Sequence, residues 1–299
     1  MSIRALDTAD TGAVATPEVM IGGARPGILR RLVGHPSAVF GLTVLGLYAL
    51  AAVFLPLLVP FNPAHNNLIQ NFQPPSTAHL LGTDDLGRDE LLMLVYGARY
   101  TLYLGFLAVG IGFGFGVPMG ALSGYLGGWV DLVVQRFTDV LLSFPGILLA
   151  LALVAGLGVG LRNVIIAVGV SSIPAFVRLS RASALSIREL PYVEAARALG
   201  VPPAMILARH VVPNSLAPVI VQATLQLGAA ILVAAGLGFL GLGVQKPTPE
   251  WGSMLGDART YIFTDANLAT FPGLAIFGAV LAFNLVGDGL RDALDPRLR

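Results

Sequence analysis

Glu194-Ala195-Ala196-Arg197-Ala198-Leu199-Gly200, followed by Val201 to Asn214, is a polar, arginine-bearing segment set between two long apolar runs. The runs on either side are apolar enough to cross a bilayer, so the segment between them is expected in water against a membrane face. Glu194 suits the first turn of a short helix, where a carboxylate meets the positive end of the helix dipole. Ala195, Ala196 and Ala198 are strong helix formers whose small side chains let another surface approach closely. Gly200 is a natural C-terminal stop, and Pro202 or Pro203 can open a second short helix at its first position. The pattern predicts a helix-turn-helix knuckle; an ordinary inter-helix loop would carry the same polarity, and these residues alone leave both open.

Outward from the knuckle, composition decides the class. The chain has 299 residues, 55% of them hydrophobic and 12% charged, against about 25% charged in a soluble domain. So few charges cannot cover a water-facing surface. Runs of ~20 apolar residues cross the hydrocarbon core, and six segments qualify: Ala38 to Val59, Thr101 to Leu122, Val140 to Leu161, Asn163 to Val177, Ser215 to Val244 and Ala266 to Gly287. None contains a charged side chain. The expected class is an all-α integral membrane protein with six transmembrane helices. The fourth span is short and should run on helically past Arg178 and Arg181, whose stems can snorkel. The fifth is long, and Gly236, Gly238, Gly241 and Gly243 predict a bend or break near its far end.

An even number of spans puts both termini on one side, and the basic residues say which. Arg4, Arg25, Arg30, Arg31, Arg136, Arg178, Arg181, Arg188, Arg197, Arg209, Arg291, Arg297 and Arg299 make thirteen on the knuckle side; Arg88, Arg99, Arg162, Lys246 and Arg259 make five on the other. Both termini and the knuckle are therefore expected in the cytoplasm. The first 30 residues hold no signal-type apolar core, so no cleavage is expected. Met1 to Gly23 reads as a polar, disordered tail.

Several chemistries find no support. The single lysine, Lys246, follows no glycine-rich phosphate loop, so the chain has no P-loop. It lacks a G-x-S-x-G elbow and an H-E-x-x-H helix. Without cysteine there is no disulfide or thiolate site. His35, His65, His79 and His210 fall outside the spans, none with a carboxylate or second histidine at ligand spacing. No catalytic residue, metal site or bound cofactor is expected, nor a nucleic-acid partner. Ser143, Ser171, Ser172 and Ser215 lie in or near spans without a histidine in sequence reach, which disfavours an intramembrane enzyme. No span carries an acid or lysine for proton or ion coupling, and no inverted repeat is visible, which disfavours a self-contained carrier. A transporter built this way draws its energy from a partner.

Other features bear on packing. Gly112, Gly116, Gly120 and Gly124 share one face of span two, a spacing that lets helices approach closely; plain bundle packing and a sliding interface both fit. Pro118, Pro145, Pro174 and Pro272 lie in or near spans and should kink them. Trp129, Asp131, Arg136 and Asp139 alternate with Val130, Val133, Val134 and Phe137 at helical spacing, predicting an interfacial helix leading into span three. Arg136 and Asp139 fit either an anchor there or an exit route. The long outer loop, Pro60 to Tyr100, holds Gly82-Thr83-Asp84-Asp85-Leu86-Gly87-Arg88-Asp89-Glu90. Its glycines mark turns, and its charges can pair, cap helices or receive an extracytoplasmic protein.

At these residues the chain resembles a known family. Glu194, Ala195, Ala196, Gly200 and Pro213 match the cytoplasmic EAA loop of permease subunits of ABC importers: Glu-Ala-Ala, three residues, Gly, and a Pro nineteen after the Glu. The family's usual Ile and Leu before that proline are His210 and Val212 here. Arg209-His210-Val211-Val212-Pro213-Asn214, the Gly82 to Asp89 run and Trp251-Gly252-Ser253-Met254-Leu255 are similar to the second permease subunit of dipeptide and oligopeptide importers, a group that includes nickel-complex and glutathione importers. The likeness runs from about Ala24 onward. It implies a type I ABC importer permease fold: a tail at 1–24, a first helix and outer loop at 25–96, a five-helix, MetI-like core at 97–288, and a cytoplasmic tail at 289–299. It implies as partners a second, homologous permease in a heterodimer, two cytoplasmic ABC ATPase subunits that bind ATP and Mg, an extracytoplasmic peptide-binding protein, and lipid. Glu194, Ala195, Ala196, Arg197, Gly200, Val201 and Pro202 would contact an ATPase; Asp84, Asp85, Arg88 and Asp89 would face the binding protein.

Overall fold

The computed structural model describes residues 28–294, and all its regular elements there are helical. Expectations for the first tail and the last residues lie outside that range. A short helix α1 (Ile28–Val33) leads to α2 (Pro36–Leu58), the first span. Then come α3 (Glu90–Leu126), α4 (Gly128–Leu142), α5 (Gly146–Leu157), α6 (Leu161–Arg188), α7 (Pro191–Ala198), α8 (Pro203–Ile206), α9 (Val212–Phe239), α10 (Trp251–Ala258) and α11 (Asn267–Leu294). Five helices are long and apolar enough to cross a membrane, or up to six if the bent pair α4 and α5 counts as one span. The chain is a multi-pass membrane protein.

The bundle centres on α3 against α6. Its glycine stripe explains the closeness: a methyl on Gly116 would come 2.6 Å from Phe176 Cβ, and one on Gly120 or Gly124 would meet the carbonyl of Val177 or Arg181. The Ser180 hydroxyl donates to the Val117 carbonyl at 2.8 Å across the same seam. α2 is peripheral and rests on α11, where Gly41 lies against the Ala282 carbonyl.

The third predicted span needs correction, whereas the break expected near the far end of the fifth is present. The third does not run unbroken from Val140 to Leu161. The chain bends by 86° between α4 and α5, because Pro145 lacks an N–H and pushes Phe144 out of the helical region. α5 has 12 residues, ~18 Å, well short of a ~30 Å hydrocarbon core. α4 is held from one side, where Asp131 accepts from Arg181 Nε and Nη2, both at 2.6 Å, and from the Ser123 hydroxyl. Arg181 is thus paired, and α6 continues to Arg188 as expected. The fifth span stops at Phe239, short of Val244. Gly241 at φ +79° turns the chain, and a Cβ on Gly238 would strike the Gly252 backbone. The last helix runs on to Leu294, and Gly289 packs on Leu32 and Ala38. Pro118, Pro174 and Pro272 lie inside continuous helices.

The return of the chain after α9 makes α10 a keystone at the end opposite the knuckle. Glu250 caps it, accepting from Gly252 N and Ser253 N at 2.9 Å each, and the Thr101 hydroxyl donates to Oε1 at 3.2 Å. Burial pushes this carboxyl above its ordinary range, and the three donors act the other way. Trp251 Nε1 donates to the Leu94 carbonyl at 2.8 Å, its ring fits over Gly97, and Tyr48 meets it edge-on at 5.3 Å. Glu250→Ala leaves two buried N–H groups without an acceptor. It is expected to destabilise the chain by about 2 kcal/mol or more, from a lost cap plus desolvation, read as a lower thermal midpoint in detergent; an unchanged midpoint would refute the role.

Candidate functional site

The knuckle forms as the residues dictate. Leu190 is extended and Pro191 opens α7 at its first position. Glu194 sits in the first turn and Arg197 in the last, each at the favourable end of the dipole. Gly200 at φ +75° reverses the chain, with Gly200 N donating to the Arg197 carbonyl at 3.0 Å and Val201 N to the Ala196 carbonyl at 3.1 Å. Pro203 then starts α8. α8 is not a separate short helix. It passes through a π-helical turn, Leu207–Val211, into α9, giving one 37-residue rod from Pro203 to Phe239.

The knuckle has two faces. Val193 and Ala196, three residues apart on α7, are buried with Ile206 and Val211 against Tyr125, Ala184 and Ile187. Glu194, Ala195, Arg197, Ala198, Leu199, Gly200 and Pro202 are exposed, and Val201 is half-buried. The structure thus brings together Glu194, Ala195, Arg197, Gly200 and Pro202 on one rim. Ala196 is buried, and its side chain seats α7 on the bundle. Leu199 was missed, though it is 84% exposed at the tip. A leucine between Ala198 and a stop glycine, off the Val193–Ala196 stripe, was the signal. Beneath the second limb, α3 and the knuckle line an open apolar groove of about 720 Å³, with Val117, Leu122, Leu126, Pro203 and Leu207 among its walls.

At the other end the outer loop forms an internal network, the pairing and capping alternative that its charges offered. Asp84 and Arg88 are buried. Arg88 Nη2 lies 2.6 Å from Asp84 Oδ2, and its Nη1 donates to the Pro63 carbonyl at 3.2 Å. Asp84 Oδ1 also accepts from Leu86 N and Arg88 N. Asp89 caps α3 by accepting from Leu92 N, and its second oxygen lies 2.9 Å from His79 Nδ1. A charge this deep is kept only when so paired. Asp85 instead reaches Lys246 at 3.2 Å, and Lys246 reaches Asp257 at 3.3 Å. Gly82 and Gly87 do make the predicted turns, with φ of +89° and +72°.

This architecture and sequence have counterparts. The family described as "Binding-protein-dependent transport system inner membrane component" matches residues 116–299, and "N-terminal TM domain of oligopeptide transport permease C" matches residues 27–75. The chain is 47% identical over 270 residues to the dipeptide transport system permease protein DppC of Alkalihalophilus pseudofirmus, covering 90% of this chain and 89% of that one. It is 46% identical over 266 residues to the glutathione transport system permease protein GsiD of Pectobacterium atrosepticum, covering 89% and 88%. A solved structure, inward facing conformations of the MetNI methionine ABC transporter, shares the fold with a TM-score of 0.57 at 24% identity, covering 69% of this chain and 98% of that one. A helical bundle with a small-residue knuckle at one end, matched along most of its length, therefore belongs to the binding-protein-dependent transport system inner membrane components.

Proposed function

We propose that the chain is the permease subunit of an ATP-driven importer that moves di- and oligopeptides inward by alternating access, with the knuckle in the cytoplasm. One observation carries this reading: α7 is fixed to the bundle by its inner face while its outer rim of Glu194, Ala195, Arg197, Leu199, Gly200 and Pro202 is exposed among the described residues. A short, rigid, small-residue plug is the shape a groove in an ATPase subunit accepts. Two cytoplasmic ATPases bind ATP and Mg; a second permease completes the pathway, and an extracytoplasmic protein delivers cargo. Closure of the ATPase pair moves the plug, and the rod from Pro203 to Phe239 carries that motion across the membrane as a rigid-body switch. Relatives named for dipeptide and glutathione transport support small peptides as cargo.

Purification tests it. The tagged chain should bring down a second membrane subunit and an ATPase, and by itself should hydrolyse no ATP. Turnover by a contaminant-free preparation of the chain alone, or its isolation without either companion, would overturn the assignment.

A further inference from the structure

At the end opposite the knuckle, a cavity of about 460 Å³ opens beside α10, within the ~300–1,000 Å³ of small-molecule sites. Charges of both signs line it: Asp85, Asp257, Lys246 and Arg259, with Gln245 and Tyr261 between. Lys246 is committed, being held by Asp85 and Asp257. Arg259 is not. Its guanidinium is exposed, has no carboxylate partner among the described residues, reaches the Phe239 carbonyl at 3.4 Å and lies 5.7 Å from the centroid of the Phe239 ring. A planar guanidinium with open donors is matched to a carboxylate, which it binds through two parallel hydrogen bonds.

Lys246 bridges both acids and leaves that trio one net negative charge, and Arg259, outside the trio, restores formal neutrality. A plain anion entering the cavity gains Arg259 but meets Asp257, and a plain cation has the reverse problem. A molecule with a carboxylate at one end and an ammonium at the other satisfies both. We infer that this cavity receives zwitterionic cargo at the mouth of the pathway, with Arg259 taking the carboxylate and Asp257 facing the ammonium. The inference rests on the peptide-importer reading and adds to it a place and a chemistry of entry. Open to solvent, the site holds cargo weakly, as a point of passage requires.

The assembled importer in proteoliposomes, with its binding protein saturated with radiolabelled alanyl-alanine, provides the test. Arg259→Gln should lower maximal uptake about tenfold, as for one lost charge-assisted contact, with no change in the concentration of loaded binding protein giving half-maximal rate. Arg259→Lys should recover part of the loss, keeping charge without the fork. A dipeptide bearing a benzophenone side chain should crosslink the wild-type chain between residues 245 and 261. Unchanged uptake by Arg259→Gln, or crosslinks only elsewhere, overturns the inference alone. A defect abolished by adding more binding protein also overturns it, and makes the face a protein-docking surface. A wild-type assembly that moves no dipeptide overturns the functional reading and this inference with it.

Discussion

A tryptophan at Gly200 is expected to cut uptake by the assembled importer about tenfold or more, since overpacking a close contact costs ~1–3 kcal/mol. The chain itself should still fold and insert. A Cβ at Gly200 meets no atom within 4 Å, so added bulk finds only solvent within the subunit. The remaining internal cost is the left-handed backbone at φ +75°, about 1 kcal/mol for a residue with a Cβ. Gly200→Ala carries that backbone cost without the bulk and is the control. Uptake and cargo-stimulated ATP hydrolysis should fall together in Gly200→Trp and only slightly in Gly200→Ala. Wild-type uptake with tryptophan in place would show that nothing docks at the rim.

The opposite behaviour is expected inside the bundle. Gly120→Leu should destabilise the chain by about 3 kcal/mol or more, the upper part of the usual overpacking range. Its first side-chain atom would meet the Val177 carbonyl, with Ser180 Cβ at 2.9 Å and Arg181 N at 3.0 Å. Two of these are backbone atoms of α6, which cannot rotate away as a side-chain tip can. Gly114 lies on the same helix, and a Cβ there meets nothing within 4 Å. Gly114→Leu should therefore change stability by about 0.5 kcal/mol or less, as surface substitutions do. Thermal midpoints in detergent, with the yield of monodisperse protein, separate the two variants; equal values would remove the stripe as the basis of the α3–α6 seam.

How far the sequence could be read depends on the distance over which each interaction acts. Spans follow from runs of uncharged residues, and the knuckle from capping and propensity, all local. Hence Pro191, Gly200 and Pro203 stand where their chemistry requires. Ala196 was also within reach, since Val193 lies three residues before it on the same helical face. Among the prolines, Pro145 stands in a break while Pro118, Pro174 and Pro272 sit inside helices, and no local signal ranks them. The bend is fixed in part by Asp131 meeting Arg181, fifty residues away in the chain. The outer loop is harder again. Its acids were recognisable as capping or pairing groups, yet the choice of Arg88 for Asp84 and Lys246 for Asp85 is made by folding; the second pair is separated by 161 residues. The cavity beside α10 takes Lys246, Asp257 and Arg259 from one stretch but Asp85 from 161 residues away, so no short window of sequence contains all four.

The π-helical turn at Leu207–Val211 has a further consequence. There Val212 N bonds to the Leu207 carbonyl, five residues back, so this turn holds one residue more than the coil above it, a feature frequent at functional sites. Each residue of an α-helix advances the azimuth by about 100°. A wide turn rotates less per residue, so it takes in the extra residue while the rod above and the limb below keep nearly the bearing that an unbroken α-helix would give them. A surplus amino acid is thus swallowed locally, and a homologous subunit one residue shorter at that point could aim its plug along the same compass bearing beneath the membrane.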